Sequence, residues 1–252
     1  MIFAQDSLGG HRILVTGASS GLGRATAIAA SRCGAQVAIT GRNADRLAET
    51  LSLLNGDGHS AHEADLSDAE AAAESISAII AKHGTLNGAF YSAGTTLVLP
   101  AKLQKNRHLD DVFGAGLRGA FGLVRALLKK NAMHDGGSMV FMSSFSSVRG
   151  KQGMSAYCAA KAGLDGMVRA LALEVAPRRI RVNSIVAGAV ETEMHQSIVA
   201  DINEEAVEDY RSRHPLGFGQ PEDVANAAIF LLSDASRWIT GSSMAVDGGA
   251  AA

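Results

Sequence analysis

Seven short runs of apolar and β-branched residues are spaced along the chain by segments long enough to be helices, and this alternation restricts the fold more than any other feature. The runs are Ile13–Thr16, Gln36–Thr40, His62–Asp65, Gly88–Tyr91, Ser138–Met142, Arg181–Val186 and Ser243–Val246. Between them, helical periodicity marks Ala69–His83, Leu109–Lys130, Ser155–Ala176 and Pro221–Leu232. Strands alternating with helices of this length form βαβ units, which place the strands in a parallel sheet and the helices on its faces. Met139–Met142 is apolar at every position, as a strand covered on both sides must be. The expectation is an α/β fold with a doubly wound, seven-stranded parallel sheet and helices on both faces. No linker-like composition shift or internal repeat divides residues 1–252, so one domain is expected.

Directly after the first run comes Thr16-Gly-Ala-Ser-Ser-Gly-Leu-Gly23, which opens a helix at Arg24. Glycines at such a turn let the backbone approach a pyrophosphate, which then rests on the helix N-terminus. The spacing is G-x-x-x-G-x-G, and no Lys-Ser/Thr follows to make it a nucleoside-triphosphate loop. A glycine-rich strand-to-helix turn can also be an ordinary connection, but its place in the first βα unit points to a Rossmann dinucleotide site. The second run ends at Thr40-Gly41-Arg42. An acid here would bind a ribose diol, whereas Gly41 offers none and Arg42 offers a planar cation suited to a 2′-phosphate. NADP(H) is therefore favoured over NAD(H). The competing reading makes Arg42 a solvated residue that merely opens the next helix.

Composition excludes several other classes. The net charge is −2 with no long run of one sign, so there is no footprint for nucleic acid or an anionic membrane. Met1–Arg12 lacks the basic and apolar regions of a signal peptide, and no uncharged apolar stretch reaches about 18 residues. A cytoplasmic protein is expected. Two cysteines, Cys33 and Cys158, make no disulfide framework, and the eight histidines are not paired as zinc ligands usually are. No metal is expected.

Tyr157 and Lys161 stand four residues apart in a helical pattern and share one face, and Ser144 follows the apolar run at its C-terminal end. By themselves the Tyr and Lys could be an exposed, functionless pair. With these residues, however, the chain resembles the short-chain dehydrogenase/reductase family, in its β-ketoacyl-ACP-reductase-like branch, throughout its length. The resemblance rests on the Thr16–Gly23 turn, Asp65-Leu66, Ala93-Gly94, Ser144, Tyr157-x-x-x-Lys161, Arg181-Val-Asn183, Gly188 with Thr192, Pro221-Glu-Asp-Val-Ala225 and Val246-Asp-Gly-Gly249. It implies hydride transfer between a nicotinamide cofactor and a carbonyl/alcohol pair, with Ser144, Tyr157 and Lys161 catalytic. It also implies a cofactor held by Gly17, Ser19, Ser20, Gly21, Leu22, Gly23, Arg42, Asp65, Leu66, Ala93, Gly94, Tyr157, Lys161, Gly188, Val190 and Thr192. Tyr157 would pass the proton, Ser144 would hydrogen-bond the substrate oxygen, and Lys161 would hold the nicotinamide ribose. A homotetramer, or a homodimer, acting on a small-molecule carbonyl or alcohol is implied as well. A free tyrosine ionises near pH 10, and bringing that to neutrality takes about 4 kcal/mol. A lysine cation about 4 Å away supplies that at an effective dielectric of about 20.

Three departures from the family pattern are visible. Asn-Asn-Ala-Gly is replaced by Tyr91-Ser-Ala-Gly94, Pro-Gly by Ala187-Gly188, and the fourth catalytic residue, an asparagine, by Gly116. That asparagine helps hold a water joining the lysine to solvent protons, so exchange through Lys161 is expected to be weakened and not abolished. The expected function is an NADPH-using ketoreductase or alcohol dehydrogenase. A cofactor-binding sensor or scaffold with little turnover is the alternative, and a nucleotide-sugar epimerase a weaker third. The segment around 190–214, with Glu191, Glu193, Met194, His195 and Tyr210, is expected to cover the substrate. His195 is read there as either a substrate contact or a solvated loop residue. Tyr91 is read as a core residue that could also narrow the site.

Overall fold

The computed structural model describes residues 3–200 and 203–252. Met1 and Ile2 of the N-terminal segment, and Asp201 and Ile202 of the 190–214 segment, lie outside the described residues. In chain order the elements are β1 (Arg12–Thr16), α1 (Gly21–Arg32), β2 (Gln36–Gly41), α2 (Ala44–Ser52), β3 (Ser60–Glu63), α3 (Ala69–His83), β4 (Leu86–Tyr91), α4 (Asn106–Phe113), α5 (Gly119–Leu127), β5 (Met133–Ser144), α6 (Ser155–Val175), β6 (Arg181–Ala187), α7 (Glu193–Val199), α8 (Glu204–Ser212), α9 (Pro221–Leu232) and β7 (Ser243–Val246). The strands form a seven-stranded sheet in the order β3-β2-β1-β4-β5-β6-β7, and every neighbouring pair is parallel. The order reverses between β1 and β4, and beyond the C-terminal ends of these strands an open crevice is left.

Successive strand residues point to opposite faces, and both faces are apolar. Leu14, Ala89 and Phe141 pack with Ile76 of α3, Leu123 of α5 and Leu164 of α6. Their neighbours Ile13, Phe90 and Val140 pack on the other side with Ala27 of α1, Leu47 of α2 and Ile229 of α9. Two cores thus sandwich one sheet, which is why the strands read as continuous apolar runs. Among the described residues no helix is long and apolar enough to cross a membrane.

Two elements differ from the sequence expectation. The third strand is Ser60–Glu63 and not His62–Asp65, pairing Ala38 with Ser60 through Gly41 with Glu63. Asp65 falls after the strand because its carboxylate accepts from the Ser67 N–H at 2.9 Å, making a turn in place of a ladder position. The expected helix Leu109–Lys130 is broken into α4 and α5 by a π-helical turn over Gly114–Arg118. A wide turn frees a carbonyl that must find another donor. Here the Tyr91 hydroxyl donates to the Ala115 carbonyl at 2.6 Å. Tyr91 is almost fully buried, its phenol held protonated by burial and by the nearby Asp65 charge. It braces the kink from below and does not narrow the crevice. Gly119 makes room for it, since a side chain there would sit 2.0 Å from the Leu66 carbonyl oxygen and 2.4 Å from the Tyr91 hydroxyl.

Tyr91→Phe leaves the Ala115 carbonyl without its donor and is expected to cost about 1–3 kcal/mol in denaturant unfolding. Gly119→Ala is expected to cost more, because backbone must move to admit the methyl. A melt unchanged by either substitution would contradict this account of the kink.

Candidate active site

The crevice begins at the turn after β1. Gly17 has φ +65°, and a side chain there would lie 2.7 Å from the Ser92 carbonyl oxygen. At Gly23 it would lie 2.3 Å from the Gly17 carbonyl oxygen, so α1 rests directly on the turn. Gly23 thus packs behind the loop and does not line the crevice, in contrast to a direct cofactor contact. The Thr16 hydroxyl accepts from the N–H groups of Ser92 (3.1 Å) and Ala93 (3.3 Å), tying the ends of β1 and β4 together. These two bonds and that of the Tyr91 hydroxyl brace the sheet beside the cleft. Arg24 locks the turn from outside, reaching Ser19 O at 2.8 Å, Thr50 Oγ1 at 2.9 Å and Glu49 at 2.8 Å. Sequence reasoning missed Arg24, whose partners on α2 are brought to it only by the fold.

The first turn of α1 is left open to an anion. Side chains cap α2 (Asn43), α3 (Asp68) and α7 (Thr192), each accepting a backbone N–H. Ser20 makes no such bond at α1, and that helix has no acid in its first turn. Gly188 adds a second close approach, where a side chain would meet Asp247 backbone at 2.7 Å. A backbone cradle without side chains, facing an uncapped helix start, fits a dinucleotide pyrophosphate. Gly17, Ser19, Ser20, Gly21, Leu22, Arg42, Asp65, Leu66, Ala93, Gly94, Gly188, Val190 and Thr192 all line the same cleft, as do Tyr157 and Lys161. Its volume is about 1140 Å³. At the Gly41 corner a side chain would sit 3.3 Å from Ser19 Oγ, and Arg42 and Arg46 both face the opening. Arg46, which the sequence reading did not single out, pairs across the cleft with Glu193 at the start of α7.

Ser144 ends β5, held by pairing with Ala187 of β6, and its hydroxyl accepts the Ser146 N–H at 3.2 Å. Tyr157 and Lys161 come from the first two turns of α6, the helix that packs on β5 and β6. Burial raises the Tyr157 phenol above the ordinary tyrosine value, with the nearby Ser144 hydroxyl opposing the rise. Lys161 is buried, and its Nζ donates to the Met142 carbonyl at 2.7 Å. Burial pushes Lys161 down to about 8, with the Asp165 carboxylate holding it up. Asp165, one helical turn further on, is itself buried and accepts from the Ser184 hydroxyl at 2.7 Å. Its signal was in the sequence, because Tyr157, Lys161 and Asp165 recur at four-residue spacing. The lysine nitrogen lies 5.7 Å from the Tyr157 ring centroid. In the chain by itself, burial thus shifts the phenol upward.

At the far end, Val190 bridges to Gly219 and Thr192 caps α7, accepting the His195 N–H at 3.3 Å. His195 is buried, not solvated: its ring stacks edge-on against Phe218 at 4.7 Å and leans on Tyr210 at 6.0 Å. His214 takes the Ala189 N–H at Nε2 (3.1 Å), so its Nδ1 is the nitrogen that donates to the Tyr210 carbonyl at 3.0 Å. This imidazole pins α8 over the end of β6. Among the described residues no group of His, Cys, Asp or Glu is placed to hold a metal.

Comparison with known proteins agrees with this geometry. A family model described as enoyl-(acyl carrier protein) reductase matches residues 17–251. The chain is similar to the 3-oxoacyl-[acyl-carrier-protein] reductase of Rickettsia conorii, 35% identical over 243 residues, covering 96% of this chain and 97% of the relative. Among solved structures it is similar to one from Sinorhizobium meliloti 1021 described as a short-chain alcohol dehydrogenase, with TM-score 0.90, 35% identity and 98% of each chain covered. Another, from Agrobacterium tumefaciens, is described as a 2-deoxy-D-gluconate 3-dehydrogenase with bound NADP. It has TM-score 0.86 and 31% identity, covering 98% of this chain and 99% of that one.

Gly116 lies next to this machinery. A side chain there would touch nothing closer than Ala160 Cβ at 3.9 Å, and one at Gly94 would fall 3.8 Å from Lys161 Nζ and 3.9 Å from Gly116 Cα. A Cβ at Gly116 therefore meets only ordinary van der Waals contact on the lysine side of the helix. Gly116→Asn is expected to keep or raise the melting temperature and to increase turnover several-fold at unchanged KM. Unchanged turnover would remove the idea that proton exchange through Lys161 is weakened.

Proposed function

The chain belongs to the short-chain dehydrogenase/reductase family, and from that membership we propose that it works as a single-domain, NADPH-dependent ketoreductase whose catalytic groups are Ser144, Tyr157 and Lys161. It is an NAD(P)-dependent oxidoreductase interconverting a carbonyl and an alcohol. The observation that carries the residue assignment is the convergence of Ser144, Tyr157 and Lys161 on the one cleft that the glycine turn also lines, with Lys161 buried and donating to the Met142 carbonyl. When bound, the nicotinamide supplies the hydride that reduces the carbonyl carbon. Tyr157 gives its proton to the carbonyl oxygen, and the raised value of its phenol keeps that proton in place until charge develops. Ser144 hydrogen-bonds the same oxygen, and the Lys161 ammonium stabilises the phenolate left behind. Asp165 positions that ammonium electrostatically. The assembled groups argue against a sensor or scaffold with little turnover.

Arg42 and Arg46 at the Gly41 corner support NADPH over NADH, and the Agrobacterium neighbour, described with bound NADP, fits that preference. Exposed apolar side chains on α5 (Phe121, 47%), α6 (Leu173, 79%) and before β7 (Trp238, 95%) support a homotetramer. A cytoplasmic location is proposed with it.

Separate titrations with NADPH and NADH, read by calorimetry, test the cofactor assignment. NADPH is expected to bind at least about tenfold tighter, and a preference for NADH would overturn it. With NADPH, a 3-oxoacyl thioester is expected to be reduced and a 2-enoyl thioester not. The reverse result would assign the enoyl chemistry named by the family model. Tyr157→Phe is expected to lower kcat by about 10²–10⁴ while leaving NADPH binding in place. The pH profile carries a further expectation. Lys161 is charged below its value of about 8 and loses its proton above it, so kcat/KM for ketone reduction should be level through neutrality and fall above about pH 8. A profile without that fall would remove Lys161 from the proton-transfer step.

A further inference from the structure

The substrate end of the cleft carries a positive charge that nothing described around it neutralises. Lys151 lies in the loop between Ser144 and α6, lines the cleft together with Tyr157, and is only partly exposed. Its ammonium sits 4.1 Å from the centroid of the Tyr210 ring. Among the described residues it has no carboxylate partner, and the charged group that acts on it is the like-signed Arg213, which itself pairs with Asp209. The acids that line the cleft are paired, hydrogen-bonded or on its far side, and Glu191 is the one that keeps its charge near His195. Glu193 pairs with Arg46, and Glu191 accepts from the Gln220 side chain at 3.0 Å. Asp110 pairs with Arg118 at 3.2 Å, and with Asp111 it belongs to α4, which ends against Ser67 on the β3 side. A second observation points the same way. His195, 8% exposed and also lining the cleft, has a buried Nε2 with no hydrogen-bond partner. Burial holds that imidazole below its ordinary value, with Glu191 opposing and Lys151 reinforcing the shift. Beside it the Tyr210 hydroxyl, pushed up to about 12 by burial and by the nearby Tyr157, stays a donor.

A half-buried cation resting on an aromatic face, with hydrogen-bonding groups beside it and no counter-ion, is arranged for an anionic oxygen group. Building on the ketoreductase reading above, we propose that the substrate is a carbonyl compound bearing a carboxylate or phosphate-type anion, which Lys151 and the Tyr210–His195 cluster hold while Tyr157 and Ser144 act on the carbonyl. The anion takes no part in bond making. It orients the substrate, and a neutral ester of the same skeleton loses that contact. Chain length between the two groups decides whether both ends are engaged together.

The test compares matched pairs on the NADP(H)-loaded protein: 2-, 3-, 4- and 5-oxo acids against their methyl esters, and 2-oxopropylphosphonate against its dimethyl ester. At least one acid is expected to exceed its ester by about tenfold or more in kcat/KM, carried mainly by KM. In Lys151→Gln that ratio falls toward one, and Lys151→Arg keeps most of it. A purely structural role for Lys151 would change acid and ester together and leave the ratio where it was. Whether carboxylate or phosphonate gains more names the anion. Calorimetry of acid and ester on the NADP⁺-loaded protein gives the same comparison without turnover. Tighter acid binding lost in Lys151→Gln upholds the anion site even if no ketone is reduced, in which case the reductase reading falls alone. Equal binding and equal turnover of acid and ester, or a ratio untouched by Lys151→Gln, overturns the anion site and leaves the reductase reading intact.

Discussion

Three backbone segments meet at the turn after β1 with no room for side chains between them. Gly23 is pressed on Gly17, Gly17 on Ser92, and Thr16 links the same strand ends by its hydroxyl. If that contact were looser, α1 could not start where it does, and its uncapped first turn would not face the crevice. The opening between β1 and β4, the height of Ser144 on β5 and the seat of α6 on β5 and β6 are all referred to this point through the sheet register. Covering both sheet faces with apolar helices keeps that register from slipping, since a one-residue shift would exchange the two cores.

On this frame the protein supports an unfavourable charge. Lys161 is buried and lowered toward neutrality, satisfied by a carbonyl and by Asp165 at a helical turn's distance. Its neighbour Tyr157 is likewise shifted upward by burial. Both groups are held away from their solution behaviour by the same desolvation, so excluding water at the back of the cleft is what makes them a matched acid pair. On the open side of the cleft, Arg42 stands at one end and Lys151 at the other.

Much of the architecture was legible because local signals agreed. Ala69–His83 and Pro221–Leu232 were delimited by their length and 3.6-residue pattern, and β1, β2 and β7 by short apolar runs. The Ser144, Tyr157 and Lys161 group was legible through the family resemblance, the helix and the strand end supplying only its spacing. The π-helical turn was not, since it depends on a hydroxyl from β4 reaching a helix that follows it in the chain. The sequence could suggest a kink at Gly116, but not that Tyr91 would support it. The burial of His195, the place of Lys151 and the Arg46–Glu193 pair arise from loops and short helices meeting only in three dimensions. The weakly apolar third strand was displaced by two residues because at a sheet edge side-chain turn chemistry outweighs alternation.

The 21-residue helix α6 carries a consequence for insertions and deletions. One residue added between Tyr157 and Lys161 would turn the lysine by about 100° around the helix axis and out of the cleft, a change no side-chain adjustment repairs. Adding one at Gly150, where a side chain would meet nothing within 4 Å, would leave that pair and Ser144 in place and move Lys151 instead. Distances at the reacting end are metered by a helix and a sheet, and those at the far end by loop length. A lineage of such chains can therefore try new substrates by lengthening or trimming a loop, while the spacing that performs the chemistry is inherited unchanged.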